Sequence, residues 1–166
     1  NVAFLSLDPE TDKDWLRFRA YEYGLHLELL GEEPMKCLCY RAVDFEMEWT
    51  VGYVATWPQI SSAARNPKVV RHFLGSKGGK GPFGTIAIIH GRTCRSIEDW
   101  SIYKFEREVV FLLNSQFRRS PAVGPGVKSL MSTALRVSLD NVAMVEVREV
   151  RLTVWSDVVD ALTRDE

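Results

Sequence analysis

Two glutamates, Glu106 and Glu108, stand two apart in WSIYKFEREVVF, residues 100–111. They open an apolar run, Val109 to Leu113, whose shortness, β-branched content and closing Asn114 mark a buried strand. Alternate side chains of a strand share a face, so an extended backbone holds both carboxylates over one cavity. Mutual repulsion and partial burial then separate their pKa values and give each acid a task of its own. Taken alone, a Glu-x-Glu at a strand end reads first as two solvated acids. Other residues must converge on it before it becomes a site.

Three earlier segments carry candidate chemistry. Met35 to Val43, MKCLCYRAV, reads as a strand with Cys37, Cys39 and Arg41 on one face and Leu38, Tyr40 and Ala42 on the other. Read by itself, an arginine ending such a strand simply reaches solvent. Ser61 and Ser62 follow the segment TVGYVATWPQI. Gly75 to Gly84, GSKGGKGPFG, is a loop with exposed amides and two lysines. It is not a Walker A loop, because Gly-x-x-x-x-Gly-Lys-Ser/Thr fits at neither Lys77 nor Lys80. The Cys37-x-Cys39 pair lacks a second cysteine or histidine pair at zinc spacing, and His26, His72 and His90 are scattered, so no metal site is expected.

The elements that must position these residues alternate in type. Asp8-Pro9-Glu10 marks a helix start, followed by Trp15, Phe18, Leu25 and Leu29 and stopped by Gly31. The interior Gly24 and the alternation in LHLELL leave its second half either helical or extended. Thr50 to Ile60 reads as extended, with Pro58 at an edge or an end. Asn66-Pro67 starts a short helix offering Val69, Val70, Phe73 and Leu74 for packing. Thr85 to His90 is a buried strand that Gly91 turns. Ile97 to Phe105 is a loop bearing Trp100, Tyr103 and Phe105, aromatics that either cover a small core or recognise a partner.

RRSPAVGPG reads as a loop, and Val127 to Val137 as a strand or a short helix. Asn141 to Val154 reads as a long strand with Val145, Val147 and Val150 inward and Glu146 and Arg148 outward. Ser156 caps a terminal helix. No repeat, low-complexity tract or linker divides the chain, so residues 1–166 are expected to form one α+β domain.

Lysine and arginine (21) nearly balance aspartate and glutamate (22), which removes any global charge that would point to nucleic acid or a membrane surface. No stretch approaches the roughly 18 apolar residues that span a bilayer. A soluble, monomeric protein with a cytoplasmic site of action is expected. Three cysteines cannot all pair and are too few for a disulfide framework, which fits a reducing compartment. The chain opens at Asn1 without methionine or a basic-then-apolar leader, as an excised domain or processed product would.

Taken together, Arg41 in CYRAV, the serines in WPQISSAARNP, the glycine-rich loop and SIYKFEREVVF occur in the order and approximate spacing of a known family. From about Met35 to Phe117 the chain resembles the arginine, serine, glutamate branch of the ADP-ribosyltransferases, which includes arginine-specific mono-ADP-ribosyltransferases and related bacterial toxins. The resemblance implies an α+β fold of two packed, mainly antiparallel β-sheets with flanking helices around an NAD cleft. It also implies NAD as co-substrate, no metal, an arginine-bearing protein acceptor, and neither nucleic acid nor membrane as partner.

Residue by residue, it implies that Arg41 holds the NAD phosphates and nicotinamide ribose, a task for a permanent multidentate cation. Ser62 matches the hydroxyl that orients the catalytic glutamate, and Glu108 matches that glutamate. Glu106 matches the acid that accompanies arginine as acceptor. Residues 96–105 match the loop that turns toward the protein substrate, with Tyr103 and Phe105 as its recognition aromatics. The loop ending at Gly84 matches the cover over phosphates and nicotinamide, and Phe73 just before it packs on the nicotinamide ring.

The activity so implied is transfer of ADP-ribose from NAD to a protein side chain, arginine first, with release of nicotinamide. Two departures stand out: the family's Ser-Thr-Ser reads Ser62-Ala63-Ala64, and Ala42 follows Arg41 where many relatives have glycine. They leave an NAD glycohydrolase and a weakly active binding module of the same fold as alternatives.

Overall fold

The computed structural model describes residues 9–76, 81–121 and 123–150. Contacts divide these into two units, one up to Glu33 and one from Pro34. The first contains α1, Pro9–Leu30. Pro9 opens it, where a missing N–H leaves no helical bond unmade. The helix continues unbroken through Gly24 and LHLELL, which settles that stretch as helical, and Tyr23 and His26 stack on it with ring centroids 6.2 Å apart. No helix among the described residues is long and apolar enough to cross a membrane.

The second unit contains β1 (Met35–Val43), β2 (Val54–Trp57), β3 (Ser61–Ala64), β4 (Gly75–Ser76), β5 (Pro82–Ser96), β6 (Glu108–Phe111), β7 (Ser115–Arg119) and β8 (Val142–Val150). The 3-10 helix Pro67–His72 and α2, Pro125–Leu135, complete it. Strands run in the order β1-β3-β6-β5-β8-β7-β2, β4 adds to β5, and β1 also pairs with β5. Thus β1, β3, β6 and β5 close on one another. Among the described residues, only β5 with β8 is a parallel pair. This is the mainly antiparallel α+β architecture the sequence implies.

The long strand β5 carries the packing because both of its faces are buried. Ala87 and Ile89 face a core shared with Cys39, Ala63, Val109, Phe111 and Phe117, so β3 and β6 pack over the larger group of strands. Phe111 and Phe117 meet edge to face with centroids 5.0 Å apart, and Trp57 lies 4.2 Å from Phe117. Burying each such phenyl ring stabilises the fold by about 2–3 kcal/mol. On the other face Ile86 joins Ala42, Val70, Val142 and the α2 residues Met131 and Leu135. Met131 and Leu135 stand four apart, so one stripe of α2 covers the sheet. Pro125 starts that helix and left-handed Arg136 (φ 55°) ends it, resolving a segment whose sequence fits helix or strand equally.

Several expectations need correction. Between Thr50 and Ile60 only Val54–Trp57 is strand, because Gly52 (φ 80°) turns the chain and Tyr53 N donates to Thr50 O at 3.1 Å. β5 does not turn at Gly91 but runs on to Ser96. Close packing favours glycine there: a Cβ would lie 3.1 Å from both Cys94 Sγ and the Phe111 ring, which would have to give way by a few tenths of an ångström. Arg118 and Arg119 belong to β7 rather than to a loop.

On β8 the inward residue after Val147 is Glu149, not Val150. Its buried carboxylate accepts Thr93 Oγ1, Thr93 N (2.8 Å) and Arg92 N (2.5 Å), which replace its lost hydration. The helix expected at Ser156 lies outside the described residues.

Gly84 fixes how β5 enters the sheet. Its φ is 129°, and a Cβ there would lie 2.0 Å from Val43 O, inside the β1–β5 pairing. Gly84→Ala is expected to destabilise the protein by about 2 kcal/mol or more. An unchanged urea midpoint in that variant would refute the close approach.

Candidate functional site

Arg41 lies near the end of β1, paired in register with Ala87 of β5. Its Nη1 donates to the carbonyl oxygen of Ser62 at 2.7 Å, and its guanidinium carbon lies 5.6 Å from the centroid of the Trp57 ring. Burial pulls the Arg41 pKa below its usual value. The group nonetheless remains a cation, because guanidinium does not lose its proton in proteins.

β3 brings Ser62 to the same place. The β3–β6 register sets Ser62 opposite Val110 and Ala64 opposite Glu108, so these side chains share a face. The reverse face buries Ala63, Val109 and Phe111 in the core. Glu108 is the first residue of β6, at the edge where the buried strand emerges.

Glu106 reaches the site by another route than the strand pleat expected from the sequence. It ends a 3-10 turn, Lys104–Glu106, and left-handed Arg107 (φ 52°) separates it from Glu108. Such a conformation costs an ordinary residue about 1–2 kcal/mol. The end of β3 holds it in place: Arg65 N donates to Arg107 O (3.3 Å), Asn66 N to Glu106 O (3.2 Å) and Asn66 Nδ2 to Phe105 O (2.9 Å). An Arg65–Glu98 ion pair ties down the preceding loop, and Ile97 N donates to Glu108 O at 3.1 Å.

A cleft of about 120 Å³ results, and Arg41, Ser62, Phe73, Glu106 and Glu108 all line it, with Tyr40, Val69 and Val70 among the remaining walls. Burial is the first cause and Glu108 the second in raising the Glu106 pKa, against an opposing pull from His72. The cleft can hold an anion at Arg41, accept hydrogen bonds at Glu108 and take up a proton at Glu106. Among the described residues no three histidine, cysteine, aspartate or glutamate side chains converge to hold a metal.

The remaining candidates stand apart from the cleft. Gly84 borders a separate depression beside Phe83, Lys128 and Asp140. Tyr103 and Phe105 are exposed on the loop before Glu106, edge to face with centroids 6.1 Å apart. Ile102, just before them, is 87% exposed. Ser62 is in the cleft, but its hydroxyl makes no hydrogen bond to Glu108 among the described residues. Ser101 does so instead, its Oγ donating to Glu108 Oε2 at 3.2 Å. The same oxygen accepts Tyr103 N at 3.1 Å, and Ser101 N donates to Ile97 O at 2.8 Å, so the loop orients the hydroxyl.

Sequence reasoning missed Ser101, Arg65 and Asn66. Asn66 was legible only as a helix cap, a task it also performs by accepting Lys68 N.

No protein-family model and no curated protein matches the chain. Solved structures do. The Vis toxin of Vibrio splendidus, an ADP-ribosyltransferase, in its complex with agmatine, superposes with a TM-score of 0.65 at 17% identity, covering 90% of this chain and 66% of that one. The ATR domain of Salmonella SpvB gives 0.58 at 15% identity, covering 88% and 77%. Exoenzyme S of Pseudomonas aeruginosa, bound to carba-NAD in complex with human 14-3-3 protein beta, gives 0.51 at 16% identity, covering 83% and 63%. The chain spans 58% to 66% of the length of the Vis structures it matches. At these identities the likeness is one of architecture, and it is consistent across all three: the chain has the ADP-ribosyltransferase fold.

Proposed function

We propose that this chain transfers ADP-ribose from NAD to an arginine side chain of a protein, releasing nicotinamide. One observation carries the reading: in an ADP-ribosyltransferase fold, a single cleft gathers a strand-end guanidinium, Arg41, and two carboxylates, Glu106 and Glu108. Agmatine, the compound in the Vis complex, is itself a guanidinium, which favours arginine as the acceptor class. The carba-NAD of the exoenzyme S complex supports NAD as the donor.

The residues present fit NAD. Arg41 donates one N–H to Ser62 O and has further N–H groups for a diphosphate. The cleft is smaller than the roughly 300 Å³ at which pockets for drug-sized ligands begin, so it accommodates one end of an extended molecule beside exposed Phe73. NAD supplies an N-glycosidic bond whose cleavage builds positive charge on the ribose.

Each residue then has a distinct part. The Glu108 carboxylate holds a ribose hydroxyl and stabilises that positive charge more than it stabilises the ground state. Ser101 keeps the carboxylate in one orientation, and Arg41 fixes the phosphates so that the ribose arrives aligned. Ser62 offers its exposed hydroxyl to the bound dinucleotide. An incoming guanidinium is protonated and a poor nucleophile. Glu106 attracts it and removes a proton, and its raised pKa strengthens it as a base. Tyr103 and Phe105, exposed beside Glu106, contact the protein that carries the arginine.

Incubation with NAD and agmatine tests the assignment, since adduct, free ADP-ribose or no product separates transferase, glycohydrolase and binding module. Glu108→Gln is expected to abolish both transfer and NAD hydrolysis, whereas Glu106→Gln abolishes transfer and spares most hydrolysis. Equal loss of both activities in folded Glu106→Gln protein would refute the division between the two acids.

Ser101→Ala is expected to lower kcat roughly tenfold or more with little change in KM for NAD, and Ser101→Thr to restore much of it. A larger kcat loss in Ser62→Ala than in Ser101→Ala would return the orienting role to Ser62.

The pH dependence follows from the direction of the Glu106 shift. A base acts only when ionised, so the ratio of transfer to hydrolysis should fall as pH drops from neutrality into the carboxylate range, earlier than for an ordinary glutamate. A ratio constant across that range would show that Glu106 does not act as the base.

A further inference from the structure

The cysteines, which the proposed reaction does not use, form a cluster of their own. Cys37 of β1 and Cys94 of β5 bring their Sγ atoms within 3.1 Å, and both are free thiols. The strand register explains the approach. Met35 pairs with Cys94 and Cys37 with Gly91, with an irregularity between the two, so β5 carries one extra residue opposite this stretch of β1. Gly91 leaves the space, since a Cβ there would crowd Cys94 Sγ at 3.1 Å. The sulfurs need to close by about 1 Å to reach the roughly 2.05 Å of a disulfide. Cys39, two residues along β1, is buried and donates to Ile89 O at 3.7 Å.

Access and reactivity divide the pair. Cys37 is half-buried while Cys94 is wholly buried, so a reagent from solution meets Cys37 first. The neighbouring sulfurs of Cys39 and then Cys94 pull the Cys37 thiol below its usual pKa, with help from Arg65 and against the effect of burial. The bond to Cys37, with burial, pushes Cys94 up. Cys37, the accessible sulfur, is therefore the one that attacks first, and the buried Cys94 is the one that resolves.

We propose that Cys37 and Cys94 are a reversible disulfide pair, closed by exchange with a small oxidised disulfide such as glutathione disulfide. The Cys37 thiolate attacks one sulfur of glutathione disulfide, forming a mixed disulfide and expelling one glutathione thiolate, which takes up the proton Cys37 had lost. Cys94 then attacks Cys37 Sγ, its proton passing to the second departing glutathione. The protein loses two electrons and two protons, and one glutathione disulfide becomes two glutathiones. The bond joins β1 to β5 across 57 positions of chain and so restricts the unfolded state.

The test is to equilibrate the whole chain with glutathione redox buffers, trap free thiols with an alkylating agent and map tryptic peptides under non-reducing conditions. Cleavage after Lys36, Arg41, Arg92 and Arg95 predicts a linked species joining residues 37–41 to residues 93–95. Expected results are that species in wild type and in Cys39→Ser, its loss in Cys37→Ser, and a rise of roughly 5–10 °C in the thermal midpoint that a reductant reverses. Cys39→Ser keeps both partners, so the outcome does not depend on how Cys94→Ser folds. A persistent glutathione adduct on Cys37, a Cys37–Cys39 bond, a dimer between chains, or thiols that stay reduced would each overturn the pairing.

Discussion

The hydrogen bond from Arg41 Nη1 to the carbonyl of Ser62 is the contact on which the site depends. β1 and β3 share one register pair, Tyr40 with Ala64, whereas β1 follows β5 over most of its length. The closure of β1, β3, β6 and β5 on one another is therefore weakest at the cleft. The guanidinium reinforces that seam, anchored on one side by Ser62 O at 2.7 Å and flanked by the Trp57 ring. A charged donor to a carbonyl is stronger than a neutral one. The cation proposed to hold phosphates is thus also a strut between strands. A lysine could supply the charge but not a planar fork that reaches a carbonyl while keeping donors for an anion.

The same logic governs the acids. Glu106 and Glu108 repel each other, and the turn that joins them includes a left-handed arginine. Neither feature would persist in an isolated peptide. The backbone N–H groups of Arg65 and Asn66 and the Asn66 side-chain amide hold residues 105–107 from the end of β3, so the strand that positions Ser62 also fixes the angle between the glutamates. Displacement of β3 would disturb the Arg41 seam, the Glu106 turn and the register of Glu108 together. That coupling explains how so small a cleft presents charges of both signs without their collapsing into a direct salt bridge.

Much of this was legible in the sequence wherever a single physical signal decided the outcome. Met35 to Val43 is a strand as its alternation of faces indicates, and Asn66-Pro67 starts a helical turn because the cap and the proline agree. Where two forces competed, the sequence was silent or misleading. Gly91 looks like a turn but exists to admit a thiol and a phenyl ring from elsewhere in the chain. Val150 looks like the inward residue after Val147, but Glu149 takes that place because the amides of Arg92 and Thr93 donate to its carboxylate. The pairing of the glutamates was foreseen, but through a strand pleat instead of a turn whose conformation depends on hydrogen bonds to residues forty positions away.

The loss of hydroxyls at Ala63 and Ala64 now has a structural context. Both alanines are buried, opposite Val109 and Glu108, in positions where a hydroxyl would need a partner that the apolar core on one side does not offer. The hydroxyl that reaches Glu108 comes instead from Ser101, on a loop whose neighbours Trp100, Ile102 and Tyr103 are exposed. A serine on β3 would orient the glutamate from the rigid side of the cleft. A serine on the loop orients it from the side on which, in the proposed function, the acceptor protein docks. A displacement of residues 100–103 would carry with it the hydroxyl that bonds Glu108, so the loop and the carboxylate are linked through Ser101.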